Sequence, residues 1–338
     1  MGKLLFALFL IYLPIAACHM PTTKNYEWLG SVCAPTDAPA KLIEGSFTLS
    51  DGQVVPLQAG HITANGWGKV GNLYLLNDDD PKALPVTFTA QWYSYLQSKF
   101  YTATASFPAA ELDTLFNKGL PNPYAAADDE ILVPESIVLG LGPFGYWAVW
   151  ASANGITHLI MQGQGTETEL PWSSVTENTE LSRPAFTEYL LKEAYGADSA
   201  GRLLRTAMRS TLYPAYHKTW PLHFKCISLR PIHHVWMHGF NGEVKKGAVP
   251  ANVPFTLLNT LPSIIKITWQ ATSGAWYEGT LQFEFAELEQ AARLCAGANT
   301  DILCTIQISE EGPTLTAYMA AGSMVVPLKQ LQATVYKL

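Results

Sequence analysis

The chain has 338 residues, 48% of them hydrophobic and only 14% charged, which supplies enough apolar matter for real cores and excludes a disordered protein. A net charge of −7 argues against unspecific nucleic-acid binding and offers no basic face to an anionic membrane. The length leaves room for two ordinary domains.

The amino terminus reads as an export signal. Lys3 provides the positive start, and residues 4–15 form an apolar run too short to span a bilayer. It ends in Leu13-Pro14-Ile15-Ala16-Ala17-Cys18. Two small residues ahead of a cysteine resemble the bacterial lipobox, which implies a signal peptide over 1–17 and lipidation of Cys18. An ordinary signal peptide cut after Ala17 is the alternative. His19, where an aspartate would mark retention, implies by the same resemblance a periplasmic protein anchored to the outer membrane by its lipid alone.

Export places the rest in an oxidising compartment, where four cysteines remain. Cys295 and Cys304 lie between a helical pattern and the next strand. A disulfide there would close a loop of about ten residues, worth about 2–3 kcal/mol. Cys33 and Cys226 form the remaining pair. No thiol has zinc spacing, so neither metal nor cofactor is expected.

Residues 18–43, rich in Pro and Ala, read as a tether, and 44–175 as a first domain. Short strand-like pieces are broken by Gly60, Gly66, Gly68 and Gly71, and Asp78-Asp79-Asp80 forms an acidic turn. Val86, Phe88, Ala90 and Trp92 then alternate with polar residues, as do Tyr101, Ala103, Ala105 and Phe107, the period of half-buried strands. Ala109, Leu112 and Phe116 give the buried stripe of a helix. A second acidic cluster, Asp128-Asp129-Glu130, precedes a meander of short strands with glycine turns, where Phe144, Tyr146, Trp147 and Trp150 crowd one hairpin.

Residues 176–220 differ in kind. Phe186, Tyr189, Leu190 and Leu191 suggest one helix and Leu203, Leu204, Met208 and Leu212 another, bounded by Pro184 and Pro214. The pattern then repeats over 221–338: Leu84, Pro85, Trp92, Tyr101, Thr104, Phe107, Glu111 and Leu112 recur as Leu261, Pro262, Trp269, Tyr277, Thr280, Phe283, Glu287 and Leu288. The expected fold is α+β: two related tandem domains, each a twisted antiparallel sheet with one packed helix, joined by a helical insert.

Catalytic motifs are missing: there is no Gly-x-Ser-x-Gly elbow, His-Glu-x-x-His or phosphate loop. His234 and His238 would share a strand face with Trp236 and could grip a transition metal. Two ligands make no site, and packed or hydrogen-bonded histidines are the plainer reading. Aromatic residues are abundant, with 10 Trp, 15 Tyr and 14 Phe, and aromatics supply binding hot spots as well as cores. The composition points to a binder rather than an enzyme. Its candidate contact residues are Asp78, Asp79, Asp80, Asp128, Asp129, Glu130, Phe144 and Tyr146.

The run from Ala83-Leu84-Pro85 through Trp92 and Lys99-Phe100-Tyr101, followed by Gly140-Leu141-Gly142-Pro143-Phe144-Gly145-Tyr146, is similar to a family of uncharacterised proteobacterial lipoproteins. The likeness covers about residues 60–165. The family pattern approximates Gly-Leu-Ala-Pro-Gly-Gly, from which Gly142 and Phe144 depart. Lipoproteins of this sort resemble, in part, the immunity proteins paired with lipase effectors of the type VI secretion system. That resemblance implies a periplasmic protein that binds and inhibits a secreted antibacterial effector, a phospholipase above all. It carries over no functional residue. An outer-membrane scaffold or ligand-binding lipoprotein without catalytic activity is the alternative.

Overall fold

The computed structural model describes residues 24–73, 80–121, 131–177, 179–205, 211–297, 300–309 and 314–338. The fold is α+β, and its sheets are largely antiparallel.

The first half holds β1 (Leu29–Cys33), β2 (Ala40–Leu49), β3 (Val54–Pro56), β4 (Ile62–Thr63), β5 (Asn72–Leu73), β6 (Pro85–Ser94), β7 (Lys99–Ser106), helix α1 (Ala109–Lys118), a small β8 (Leu120–Pro121) and β9 (Ile131–Leu132) pair, β10 (Ser136–Leu141), β11 (Tyr146–Ala153), β12 (Ile156–Gln164) and β13 (Thr166–Thr168). Helices α2 (Arg183–Tyr195), α3 (Ala197–Arg205) and α4 (Leu212–Tyr216) follow. The second half holds β14 (Leu222–Ile227), β15 (Ile232–Gly239), β16 (Val244–Gly247), β17 (Pro262–Gln270), β18 (Trp276–Gln282), α5 (Phe285–Ala296), β19 (Ile302–Ser309), β20 (Thr314–Ala321), β21 (Met324–Pro327) and β22 (Gln332–Lys337).

The repeat is visible strand for strand. β13-β7-β6-β2-β3 in the first half matches β22-β18-β17-β15-β16 in the second, and β12-β11-β10-β1 matches β21-β20-β19-β14. The parallel pairs also correspond, β1 with β10 and β14 with β19. Even single contacts recur. Trp92 lies 5.7 Å from Tyr101 and Trp269 lies 5.8 Å from Tyr277, ring centre to ring centre. Phe107 N–H donates to the carbonyl of Val86 and Phe283 N–H to that of Ser263, both at 2.9 Å.

Each half therefore contains two sheets, where the sequence pattern suggested one. The inner face of β6 and β2 needs an apolar cover, and alternate residues of the meander, Ile137, Leu139, Leu141, Val149 and Ala151, supply it. Residues up to 43 are no tether once the described chain begins. β1 lies between β10 and β5, and Trp28, Val32, Leu42 and Phe47 fill the first core. Pro and Ala in this stretch hide an alternation that begins only at β2.

The halves are not separate. β16 pairs with β12 through Thr157 and Val244, so one ten-stranded sheet runs from β22 to β5 across both. β10 and β11 are buried on both faces: one faces the first core, and the other carries Val138, Ala148 and Trp150, which pack with Cys33 of β1 beneath Trp67. Helix α2 is capped by Ser182, which accepts from Ala185 N–H, and ends at Gly196 with φ 78°. Its Phe186 closes a small core with Tyr93, Tyr95 and Phe100, which explains why Tyr93 and Phe100 are buried against the alternation of β6 and β7.

Candidate functional site: the cleft between the two halves

The junction is built from the tip of the β15–β16 hairpin. Asn241-Gly242-Glu243 turns tightly, with Glu243 N–H on the Asn241 side-chain oxygen at 3.2 Å and Gly242 at φ 82°. The first half grips this tip. Trp150 Nε1 donates to the Asn241 carbonyl at 3.1 Å, and Thr157 Oγ1 to the Gly242 carbonyl at 2.7 Å. A Cβ on Gly242 would stand 3.0 Å from Gly68 Cα and from the Trp150 ring, so the close approach requires glycine.

Beside it, His158, Glu243 and Lys245 form a charged cluster. Lys245 Nζ lies 2.9 Å from His158 Nδ1 and 3.5 Å from Glu243 Oε1. Burial pulls the Lys245 ammonium below its ordinary range while Glu243 opposes the shift, and burial with the Lys245 charge lowers His158.

Over this junction lies a cleft of about 610 Å³. Asp37 and Trp67 line it from the first half, Tyr195, Leu203, Tyr213 and Tyr216 from the helices, and Phe240, Ser263 and Gln282 from the second half. Its wall is a relay of rings: Trp150–Trp67 at 4.9 Å, Trp67–Tyr213 at 5.2 Å, Tyr213–Tyr216 at 5.3 Å and Tyr216–Phe240 at 5.3 Å, with Phe285 behind. Such edge-on and offset contacts add to burial and fix ring orientation. Desolvation raises the Asp37 carboxyl, and desolvation with the nearby Asp37 charge raises the Tyr213 and Tyr216 phenols, which stay protonated donors. Ser263 donates to the His238 carbonyl at 3.1 Å, a structural bond and not a contact to a base. The cleft offers apolar walls, phenol groups and one carboxylate, the make-up of a recognition site.

A second cavity of about 520 Å³ lies along the same sheet, lined by Lys69, Glu135, Ser136, Ser152, Thr157 and His238. Burial, aided by the charges of Lys69 and Lys266, pulls His238 down to about 4.

The residues singled out in the sequence are only partly gathered here. Cys18, Asp78, Asp79, Asp128, Asp129 and Glu130 lie outside the described residues, and Asp80 is exposed. Tyr146 is not a free surface residue: at 5% exposure it packs behind the cleft, 6.1 Å from Trp67 and 5.6 Å from His217. Phe144 is half-buried in a turn at φ 58°, held by its N–H on Gln97 Oε1 and its carbonyl under Gln164 Nε2. A left-handed backbone explains why the related pattern has glycine at this position.

Neither expected disulfide is present. Cys33, Cys226, Cys295 and Cys304 are all free and buried. Cys33 sits under Trp67 and Trp150 in one core while Cys226 sits in the core of the second half, so that pair is kept apart. Cys295 and Cys304 pack as apolar side chains of that second core. His234 meets His233 at 3.2 Å and Thr268 at 3.4 Å, and His238 stacks on Trp236. Among the described residues no three His, Cys, Asp or Glu side chains come together to hold a metal.

Sequence reasoning missed Asp37, Trp67, Tyr195, Tyr213, Tyr216 and Phe240. The spacing Tyr213-x-x-Tyr216 across Pro214 was the available signal, since it places two rings on one side of a short helix.

The architecture defines an internally duplicated α+β protein whose halves share a sheet and enclose an aromatic cleft. The chain belongs to the family described as protein of unknown function (DUF2931), whose pattern matches residues 16–199, the first half and the start of the helices. No curated protein and no solved structure matches it. Among the described residues no helix is long and apolar enough to cross a membrane.

Proposed function

We propose that this is an envelope lipoprotein that acts by binding: held at the outer membrane through Cys18, it engages a secreted antibacterial lipase in the periplasm and inhibits it by occlusion. The aromatic cleft carries this reading. An enzyme that works on lipid presents apolar elements around its active site, and a pre-built cleft of tyrosine and tryptophan grips such an element at little conformational cost. The shared sheet and the Trp150–Asn241 contact keep both walls in register, which favours a rigid binder. The resemblance to immunity lipoproteins supplies the partner class.

The test is direct. The purified chain is mixed with the product of any lipase-effector gene found beside its own, and phospholipid hydrolysis is measured on vesicles. Tight binding with loss of hydrolysis is expected, and Tyr195→Ala at the cleft wall should weaken both about tenfold or more. Absence of binding and of inhibition sinks the reading.

The second cavity favours one other reading, a ligand-binding lipoprotein without a protein target. Its wall is largely apolar, with Leu29, Val70 and Val244 beside a few hydroxyl, imidazole, ammonium and carboxylate groups, which suits a small, mainly apolar molecule with a polar end. Native mass spectrometry of protein purified from envelopes separates the two: a retained small molecule and no effector binding favours the second.

A further inference from the structure

The junction inside the chain has a donor and a receiver, and the duplication leaves one of each unused. The donor is the β15–β16 tip, Asn241-Gly242-Glu243-Val244. Its counterpart in the first half is Asp51-Gly52-Gln53-Val54 at the β2–β3 tip, folded the same way. Gln53 N–H donates to Asp51 Oδ1 at 3.0 Å where Glu243 N–H donates to Asn241 Oδ1 at 3.2 Å. Leu49 N–H meets the Gln53 carbonyl at 2.8 Å, as Gly239 N–H meets that of Glu243 at 2.8 Å. Gly52 has φ 87° and Gly242 φ 82°. Yet a Cβ on Gly52 would meet nothing within 4 Å, whereas Gly242 is walled in.

The receiver is the β11–β12 edge, where Thr157 follows a two-residue turn and pairs outward with Val244. Its counterpart is the β20–β21 edge, where Val325 follows the Gly322-Ser323 turn and pairs with Ala320 as Thr157 pairs with Ser152. In an antiparallel ladder alternate residues turn N–H and C=O away from their partner strand, and Thr157 and Val325 share that phase. Tyr318 stands where Trp150 stands.

The two positions that mirror the joined pair Thr157 and Val244 are thus Val325 and Val54. Each is 60% exposed. The charged partners of the inner junction have neutral counterparts, Gln53 for Glu243, Val55 for Lys245 and Val326 for His158, while Asp51 in place of Asn241 brings one carboxylate to the tip, where its Oδ1 accepts from Gln53 N–H. Pro56 and Pro327 close off both edges after one bridge, which limits any contact to the hairpin tip, the extent of the inner junction.

We propose that the chain associates head to tail with a second copy of itself, the Asp51–Val54 tip of one seated on the Val325 edge of the next. Such a contact is heterologous and leaves a free tip and a free edge on every dimer, so it extends to short chains unless it closes into a ring. It is independent of the cleft and of what the cleft binds.

The experiment uses the full chain carrying Cys18→Ser to keep it free of lipid, with its other thiols buried. Single variants Val54→Cys and Val325→Cys are oxidised alone and mixed. A cross-linked dimer in the mixture but not in either variant alone, with sedimentation that depends on concentration and loses that dependence in Val325→Lys, is the expected result. Circular dichroism confirms that each variant is folded. Three outcomes overturn the inference: a monomer at every concentration without cross-links, homodimers of each variant alone, or cross-linking of the Val325 edge only when a different protein is added.

Discussion

The indole N–H of Trp150 in β11 donates to the backbone carbonyl of Asn241 in the β15–β16 turn, 3.1 Å away and in the other half of the chain. Both groups are buried, and an unpaired buried acceptor costs about 1–3 kcal/mol. Trp150→Phe keeps a ring against Trp67 and removes the donor. It should lower stability by about 1–2 kcal/mol in urea unfolding, the hydrogen-bond range with some repacking.

Gly242 and Gly52 form an internal control. Both have positive φ, so alanine at either pays the left-handed penalty of about 1–2 kcal/mol. Only at Gly242 does the new methyl also strike Gly68 and Trp150. Thermal unfolding should show Gly242→Ala clearly less stable than Gly52→Ala, and equal losses would mean the tip is not seated.

Glu243 balances Lys245, which is largely buried. Removing one partner of a buried pair costs about 3–5 kcal/mol, while replacing both with apolar groups is close to neutral. Glu243→Ala should therefore destabilise by about 3 kcal/mol, somewhat less where water still reaches the pair. Adding Lys245→Met should recover much of that loss, as read from a double-mutant cycle in denaturant.

His217 is buried beside Tyr146, its ring nitrogens lack a hydrogen-bond partner among the described residues, and burial pulls it from 6.5 down to about 4. The folded state then binds fewer protons than the unfolded state between those values, so stability is full above about 6.5 and falls as pH drops toward 4. The loss from this one group approaches about 3 kcal/mol. His238 shifts the same way and adds to the slope. Unfolding measured from pH 7 to pH 4.5 should show a shallower decline in His217→Phe than in the parent protein.

Desolvation pushes the Cys33, Cys226 and Cys304 thiols up to about 12 and raises Cys295. A thiol that stays protonated and buried does not react. A thiol-reactive dye at pH 8 should label none of the four in the folded protein and all four in denaturant. Labelling of only two after unfolding would show a disulfide.

Much of this architecture was legible in the sequence, because duplication doubles every signal. Trp92 with Tyr101 and Trp269 with Tyr277 kept their order despite the loss of one residue between them, and the structure brings both pairs into ring contact in equivalent cores. The second sheet of each half was harder to see. β10 and β11 are buried on both faces and therefore show no alternation to separate an inner from an outer side. The cleft was hidden for a different reason: Asp37, Trp67, Tyr213 and Phe240 are far apart in the chain and meet only through the tertiary junction. Counting aromatics suggested a binder and selected Tyr146 as a contact residue, which stands one layer behind the surface.

Strand β1 sets a condition on how the chain acquires its shape. Its parallel neighbour β10 begins at Ser136, so the edge of β1 that pairs with it stays open until that distant segment arrives, although β5 can cover part of the other edge sooner. β14 waits for β19 in the same way. Pairings across such sequence separations close slowly. While they are open, the apolar stretch around Trp28 and Val32 is exposed to any chaperone or aggregating neighbour within reach, and holding that segment safe is a kinetic task the mature fold no longer reveals.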